Sequence, residues 1–173
     1  WNDHRNGDLE RRASAHRNYM GSGIYGYEDL DGHGRWVSSP EYGWVWAPSV
    51  SPGWAPYRSG RWTWIDWYGW SWVSDDPWGW APYHYGRWYM NAGIGWCWWP
   101  GYRHTRHYWS PGYVAFFGWG SHSGFGASAG FGWGNVGWVP LAPHEPYYPW
   151  YGRGYYGGYR GHTTFVNNNT IVN

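Results

Sequence analysis

The sequence predicts an all-β fold: an antiparallel meander of Trp-rich β-hairpin repeats with a period of 26 residues, curled or closed, with irregular N- and C-terminal segments. Three observations predict it. Landmarks recur in phase, tryptophans alternate as strand residues do, and Gly or Pro interrupts residues 33–160 too often for helices. The first landmark is Gly34-Arg35-Trp36, repeated as Gly60-Arg61-Trp62 and Gly86-Arg87-Trp88. Nine residues after each leading glycine comes Gly-Trp-x-Trp, at Gly43 to Trp46, Gly69 to Trp72 and Gly95 to Trp98. The third landmark is Gly-Trp-Ala-Pro-Tyr, at Gly53 to Tyr57 and Gly79 to Tyr83. Three landmarks in phase mark an internal repeat. The third unit departs from the pattern at Thr105, and Gly137-Trp138-Val139-Pro140 reads as a diverged closing echo.

Residues 1–32 form an N-terminal segment, read as a linker or as a short helix over Asp8 to His16 with Asp8 as its N-cap. Residues 33–143 form the aromatic β-repeat domain. In Trp-x-Trp both rings project from one face of an extended chain. Trp44 and Trp46, Trp70 and Trp72, and Trp96 and Trp98 are therefore the candidate core face, with Trp62 and Trp64 on the partner strand. Short linkers rich in Gly, Pro and acids suit hairpins, and about eight short strands are expected. A lone hairpin is marginally stable, so the units must bury a shared face. Residues 118–134 are Gly-rich and read as a flexible loop or a flat strand. Residues 144–173 are a tail, first Tyr/Gly-rich and then Asn-rich, and a candidate strand donor.

Composition explains why rings must form the core. The chain has 173 residues with 21 Trp, 18 Tyr and 29 Gly, but only 16 Leu, Ile and Val together. Each buried ring removes roughly 150–250 Å² from water, so about ten buried Trp replace an aliphatic core. All 12 basic residues are Arg, and the net charge is +1. Arg stacks on rings and is read here as packing material. The sparse, unclustered charge excludes nucleic acid as a partner. The one cysteine, Cys97, makes an intrachain disulfide impossible and reads as a small buried hydrophobe. No apolar run approaches the ~20 residues of a membrane span. The chain begins at Trp1, and the expectation is a processed chain or a stretch of a longer precursor.

No enzyme is expected. The His104-Thr105-Arg106-His107 spacing suits metal ligation best on a helix, which this segment is not expected to form. Asp75 and Asp76 read as solvated turn acids, since neighbours on a strand point to opposite faces. Without Lys there is no phosphate-cradling Gly-Lys loop. No catalytic residue, metal or cofactor is assigned, and a relay of electrons through the rings would need a cofactor that nothing signals. Trp54, Tyr57, Trp80 and Tyr83 remain open to two readings: a periodic platform for a glycan or partner, or part of the core. Unpaired end strands would let copies add edge to edge.

At the repeats the chain resembles a family of uncharacterised bacterial secreted proteins with a Trp/Tyr/Gly-rich domain of unknown function, often found behind a FecR-like domain. The residues that carry the resemblance are Tyr27 to Asp31, Gly34 to Val37, Trp54 to Arg58, Trp78 to Trp88 and Val136 to Pro143, in matching order over roughly residues 27–165. The resemblance implies export to the envelope or beyond and brings no known activity or ligand. The expectation is an exported structural or assembly protein that self-associates or docks as an accessory subunit in an envelope complex. The alternative is a carbohydrate-binding module. Expected partners are protein, as a second copy or an envelope subunit, or else polysaccharide; the expected location is extracytoplasmic.

Overall fold

The computed structural model describes residues 16, 18–118 and 136–148. The helix reading of Asp8 to His16, save for His16 itself, the Gly-rich stretch past residue 118 and the tail past residue 148 lie outside the described residues. Among the described residues there are eight strands, all in antiparallel hairpins. They are β1 (Gly34–Ser39), β2 (Gly43–Pro48), β3 (Gly60–Ile65), β4 (Gly69–Ser74), β5 (Arg87–Asn91), β6 (Gly95–Trp99), β7 (Val114–Gly118) and β8 (Val136–Pro140). The all-β class holds. One short departure is α1 (Ala81–His84), a single helical turn within the Gly-Trp-Ala-Pro-Tyr segment. Pro82 fits there because a first-turn residue has no intrahelical N–H bond to lose.

The strand order is not that of a sequential meander. The first and third hairpins join into one four-stranded sheet, β1-β2-β6-β5, through Trp46 opposite Trp98. The second hairpin, β3-β4, is a separate two-stranded sheet, as is β7-β8. Side chains on the second sheet face explain the difference. Between the two tryptophans of each Trp-x-Trp stand Val45 and Cys97 in the first and third hairpins, but Ser71 in the second. Val45 and Cys97 sit at 0% exposure in a cluster with Ala47 and Trp99, flanked by Val37, Tyr42, Tyr89 and Ile94. Joining those two hairpins buries an apolar second face. Ser71 pairs with Thr63 across its hairpin, so β3-β4 offers no such face.

The other face of the four-stranded sheet carries one tryptophan from each strand in a single row. Trp36 pairs with Trp46, Trp46 with Trp98, and Trp98 with Trp88. Strands lie ~4.8 Å apart, so rings in one row pack flank to flank. The Trp88 and Trp98 indoles donate to the carbonyls of Pro82 and Tyr85, both at 2.8 Å, which ties the row to α1. The second hairpin turns its Trp62–Trp72 pair towards Phe116 and Trp138 of β7-β8, with Trp62 4.8 Å and 5.9 Å from them. Met20, Ile24 and Leu30 are buried in the same main core, so residues 18–32 belong to the packed body.

The leading glycine of each Gly-Arg-Trp has a steric cause. A methyl group on Gly34 would sit 2.6 Å from the Trp46 ring, one on Gly60 2.7 Å from Trp72, and one on Gly86 2.7 Å from Trp98. In each hairpin the second ring of Trp-x-Trp lies across the glycine, where only hydrogen fits.

The eight tryptophans expected to form the core differ in burial. Trp46, Trp72 and Trp98 are buried, while Trp62, Trp70 and Trp96 are half-buried. Trp44 and Trp64 are 39% and 49% exposed and are not core residues. Both stand on the core-facing side near their turns, where Tyr19 packs against Trp44 and Trp70 against Trp64. Arg as packing material holds for Arg87, whose guanidinium lies 4.1 Å over the Tyr113 ring. Arg35, Arg58 and Arg61 are exposed.

Candidate functional site

The four expected platform residues do not form one surface. Tyr57 and Tyr83 are buried, and both hydroxyls are spent inside the protein. Tyr57 donates to the Tyr83 carbonyl at 2.8 Å and accepts from the Tyr113 N–H at 2.9 Å, while Tyr83 donates to Asp76 Oδ2 at 2.5 Å. Burial pushes both phenols far above the usual tyrosine range. They are core residues, because the repeat places them directly under the Trp rows and not on the rim. Trp54 is half-buried and packs between Trp78 and Trp88. Only Trp80 presents a ring to solvent, at 46% exposure.

Trp80 flanks a groove of about 240 Å³ whose walls include Asp29, Trp72, Val73, Asp76 and Pro77. The ring is held from behind. A methyl on Gly26 would lie 2.5 Å from its Cδ1, and the His84 ring centre is 4.3 Å away. Asp76 differs from the solvated turn acid expected. It accepts from Tyr83, from Ser74 Oγ at 3.2 Å and from Trp54 Nε1 at 3.4 Å, which fixes the carboxylate at the groove. Asp29 is exposed in the 3-10 turn Tyr27–Leu30. Among the described residues no basic side chain lines the groove.

At the opposite end of the same hairpin the β3-β4 turn carries Asp66, Trp67 and Tyr68. Trp67 is 100% exposed and has φ 75°, a left-handed backbone that costs a non-glycine residue roughly 1–2 kcal/mol. Trp64, Ile65 and Tyr68 around it are exposed as well. The corresponding turn positions in the first and third hairpins hold Glu41 and Gly93. The third hairpin, with Ala92, Gly93 and Ile94 in its turn, therefore closes without an aromatic tip, and the first closes with Tyr42 alone. Sequence reading missed Trp67 and Tyr68, although comparing turns in phase with the repeat singles out Trp67 at once.

A model of the family of unknown function DUF6600 matches residues 27–145, well over half of the chain. The chain belongs to the DUF6600 family. The DUF6600 match takes in all eight described strands, the groove and the aromatic tip. Comparison with curated proteins and with solved structures gave no match.

Within this DUF6600 chain the tip and the groove are joined by a line of rings. Tyr68 stands edge-on to Trp109 at 4.8 Å, Trp109 stacks on His84 at 5.5 Å, and His84 adjoins Trp80. The His84 Nδ1 lies 2.8 Å from the Ser110 carbonyl, which can only accept, so Nδ1 carries the hydrogen. Burial holds that imidazole below the usual histidine range, hence neutral near pH 7. Among the described residues no three His, Cys, Asp or Glu gather as metal ligands, and no helix is long and apolar enough to cross a membrane. The surface offers stacking and apolar docking, with carboxylates as acceptors.

Proposed function

We propose that this DUF6600 chain is an exported, non-catalytic assembly module that associates with further copies of itself. The observation that carries this reading is the β3-β4 tip. Trp67 and Tyr68 stand exposed in the turn, with Trp64 and Ile65 partly exposed on opposite faces of the strand that leads into it, and Trp67 holds an unfavourable backbone conformation at full exposure. Neither burial nor turn geometry requires an aromatic ring at Trp67, where the third hairpin has Gly93, and exposed rings are what binding surfaces use. The outer edge of β1 supports the same reading, since among the described residues β1 pairs only with β2 in the sheet. Export is proposed from the resemblance in the motif order, and fractionation of cells making the full-length protein tests it: recovery only with cytoplasmic markers removes that part.

Light scattering over a concentration series tests the assembly. A weight-average mass that climbs with concentration is expected, and a chain that stays at 20.3 kDa throughout would sink the reading. A second reading, glycan binding, draws on the exposed Trp80 ring beside Asp29 and Asp76, where a sugar face could stack and its hydroxyls donate. Retention on a polysaccharide column that is lost on Trp80→Ala would favour it.

A further inference from the structure

We infer that Tyr83 is a trap for one-electron oxidants: an electron taken from a half-buried indole is replaced by one from the Tyr83 ring, whose hydroxyl proton passes to Asp76. The inference goes beyond the assembly reading and does not depend on it. Two groups of packed rings carry the path. One holds Trp54, Trp78 and Trp88, with Trp54 5.5 Å from Trp88. The other holds Tyr57, Trp62, Trp72 and Trp138, with Trp62 5.3 Å and Trp138 6.0 Å from Trp72. Tyr83 joins them, its ring centre 6.1 Å from Trp88, 6.2 Å from Trp72 and 4.8 Å from Tyr57. Rings at these separations are in contact, so an electron crosses each step between touching π-systems. Trp54, Trp62 and Trp138 are only half-buried, and one intervening ring connects each of them to Tyr83.

Hydrogen bonding makes Tyr83 the end of the path. Tyr57 holds the equivalent place in the preceding repeat and is buried as well. Its hydroxyl donates to the Tyr83 carbonyl, which is too weak a base to take a proton. Tyr83 donates instead to Asp76 Oδ2 at 2.5 Å, the length of a charge-assisted O–H···O⁻ bond. The position equivalent to Asp76 in the preceding repeat is Val50, so the carboxylate is peculiar to Tyr83 of the two. The Trp54 indole also reaches Asp76, at 3.4 Å, a much weaker bond.

Burial holds the intact phenol in its protonated form. Removal of an electron turns a phenol into a strong acid, and here the acceptor is already in place. The oxidant gains one electron, the Tyr83 O–H bond breaks, an O–H bond forms at Asp76 Oδ2, and a neutral phenoxyl remains. Asp76 lines the groove, so water can carry the proton away. The oxidant arrives from solution and the phenol keeps the hole, so this relay works without a bound cofactor. The matching reactant is a diffusible one-electron oxidant, such as an aqueous radical or an oxidised metal complex.

The test uses the full chain with photogenerated tris(bipyridine)ruthenium(III), and reads the radical by electron paramagnetic resonance after freezing. Ring-deuterated tyrosine narrows a phenoxyl signal and leaves an indolyl signal unchanged. The expected product is a phenoxyl whose power saturation is unmoved by a water-soluble paramagnetic relaxer, because Tyr83 is 0% exposed. A phenoxyl that the relaxer reaches fully lies on a surface tyrosine and overturns the inference, in a measurement that needs no variant. Tyr83→Phe is expected to lose the shielded signal, and Tyr57→Phe to keep it. A shielded phenoxyl that survives Tyr83→Phe overturns the assignment. Asp76→Asn keeps the shape, removes the base and is expected to lose the shielded phenoxyl too; formation at the parent's yield overturns the proton step. A parent chain that gives indolyl radicals alone removes the trap altogether.

Discussion

Gly34→Ala isolates the steric cause given for the repeated glycine. Gly34 has no left-handed φ among the glycines of positive φ, so the substitution adds no backbone strain and only a methyl group. That methyl would lie 2.6 Å from Trp46 Cε2 and Cζ2 and 2.5 Å from the Ala47 carbonyl oxygen, more than half an ångström inside ordinary contact. The Trp46 ring is buried in a row of four and cannot swing aside, and the Ala47 oxygen is backbone. Overpacking of this kind costs about 1–3 kcal/mol. Alanine also restricts the unfolded chain, which stabilises by about 0.4–1 kcal/mol. The net expectation is a loss of about 1–2 kcal/mol, or roughly 4 °C in Tm per kcal/mol. Gly93→Ala is the control, because the nearest atom to its methyl is the Asn91 side-chain oxygen at 3.7 Å. It should be neutral or slightly stabilising. Thermal unfolding followed by near-ultraviolet circular dichroism reads both. If Gly34→Ala melts with the parent, the close approach of ring to glycine does not explain the repeat.

Tyr57→Phe deletes one hydroxyl that bridges the Tyr83 carbonyl and the Tyr113 N–H, leaving both without that partner; a loss of about 1–3 kcal/mol in urea unfolding is expected, and no change would show that water replaces it freely. Trp46→Ala should cost about 3–5 kcal/mol and Trp44→Ala under ~1 kcal/mol, although the two belong to one Trp-x-Trp; equal costs would contradict the burial assigned to them. Burial lowers the His84 and His107 pKa values, so the unfolded chain binds more protons once the pH drops beneath ~6.5. Stability is then whole above that pH and falls below it, by up to ~1.4 kcal/mol per pH unit for His84. A Tm unchanged between about pH 7.5 and about pH 5.5 would refute this.

Much of the fold could be read from local rules. Alternation placed both rings of each Trp-x-Trp on the core face, of which the second is buried in all three hairpins, and Gly-Pro punctuation located the turns. What escaped was decided by contacts distant in sequence. Ser71 in place of Val45 or Cys97 was visible in the string, but its consequence, exclusion of the second hairpin from the main sheet, depends on which second faces can be buried together. Trp44, Trp70 and Trp96 hold the same repeat position yet only Trp44 is exposed, so their burial depends on contacts from outside each hairpin, which no hairpin encodes by itself. The site was read least well. The Gly-Trp-Ala-Pro-Tyr motif looked like a surface platform because its rings recur, yet Tyr57 and Tyr83 recur as buried hydroxyl bridges. Trp67 was passed over because it breaks the repeat, and that break is what marks it.

Hydrogen exchange at the indole N–H groups, followed by two-dimensional nitrogen-correlated NMR, tests most directly whether rings serve as the core. The Trp88 and Trp98 indoles, buried and bonded to the Pro82 and Tyr85 carbonyls, should exchange only through global unfolding, while Trp67 exchanges at once. Trp88 and Trp98 signals that vanish as fast as that of Trp67 would contradict a tryptophan core.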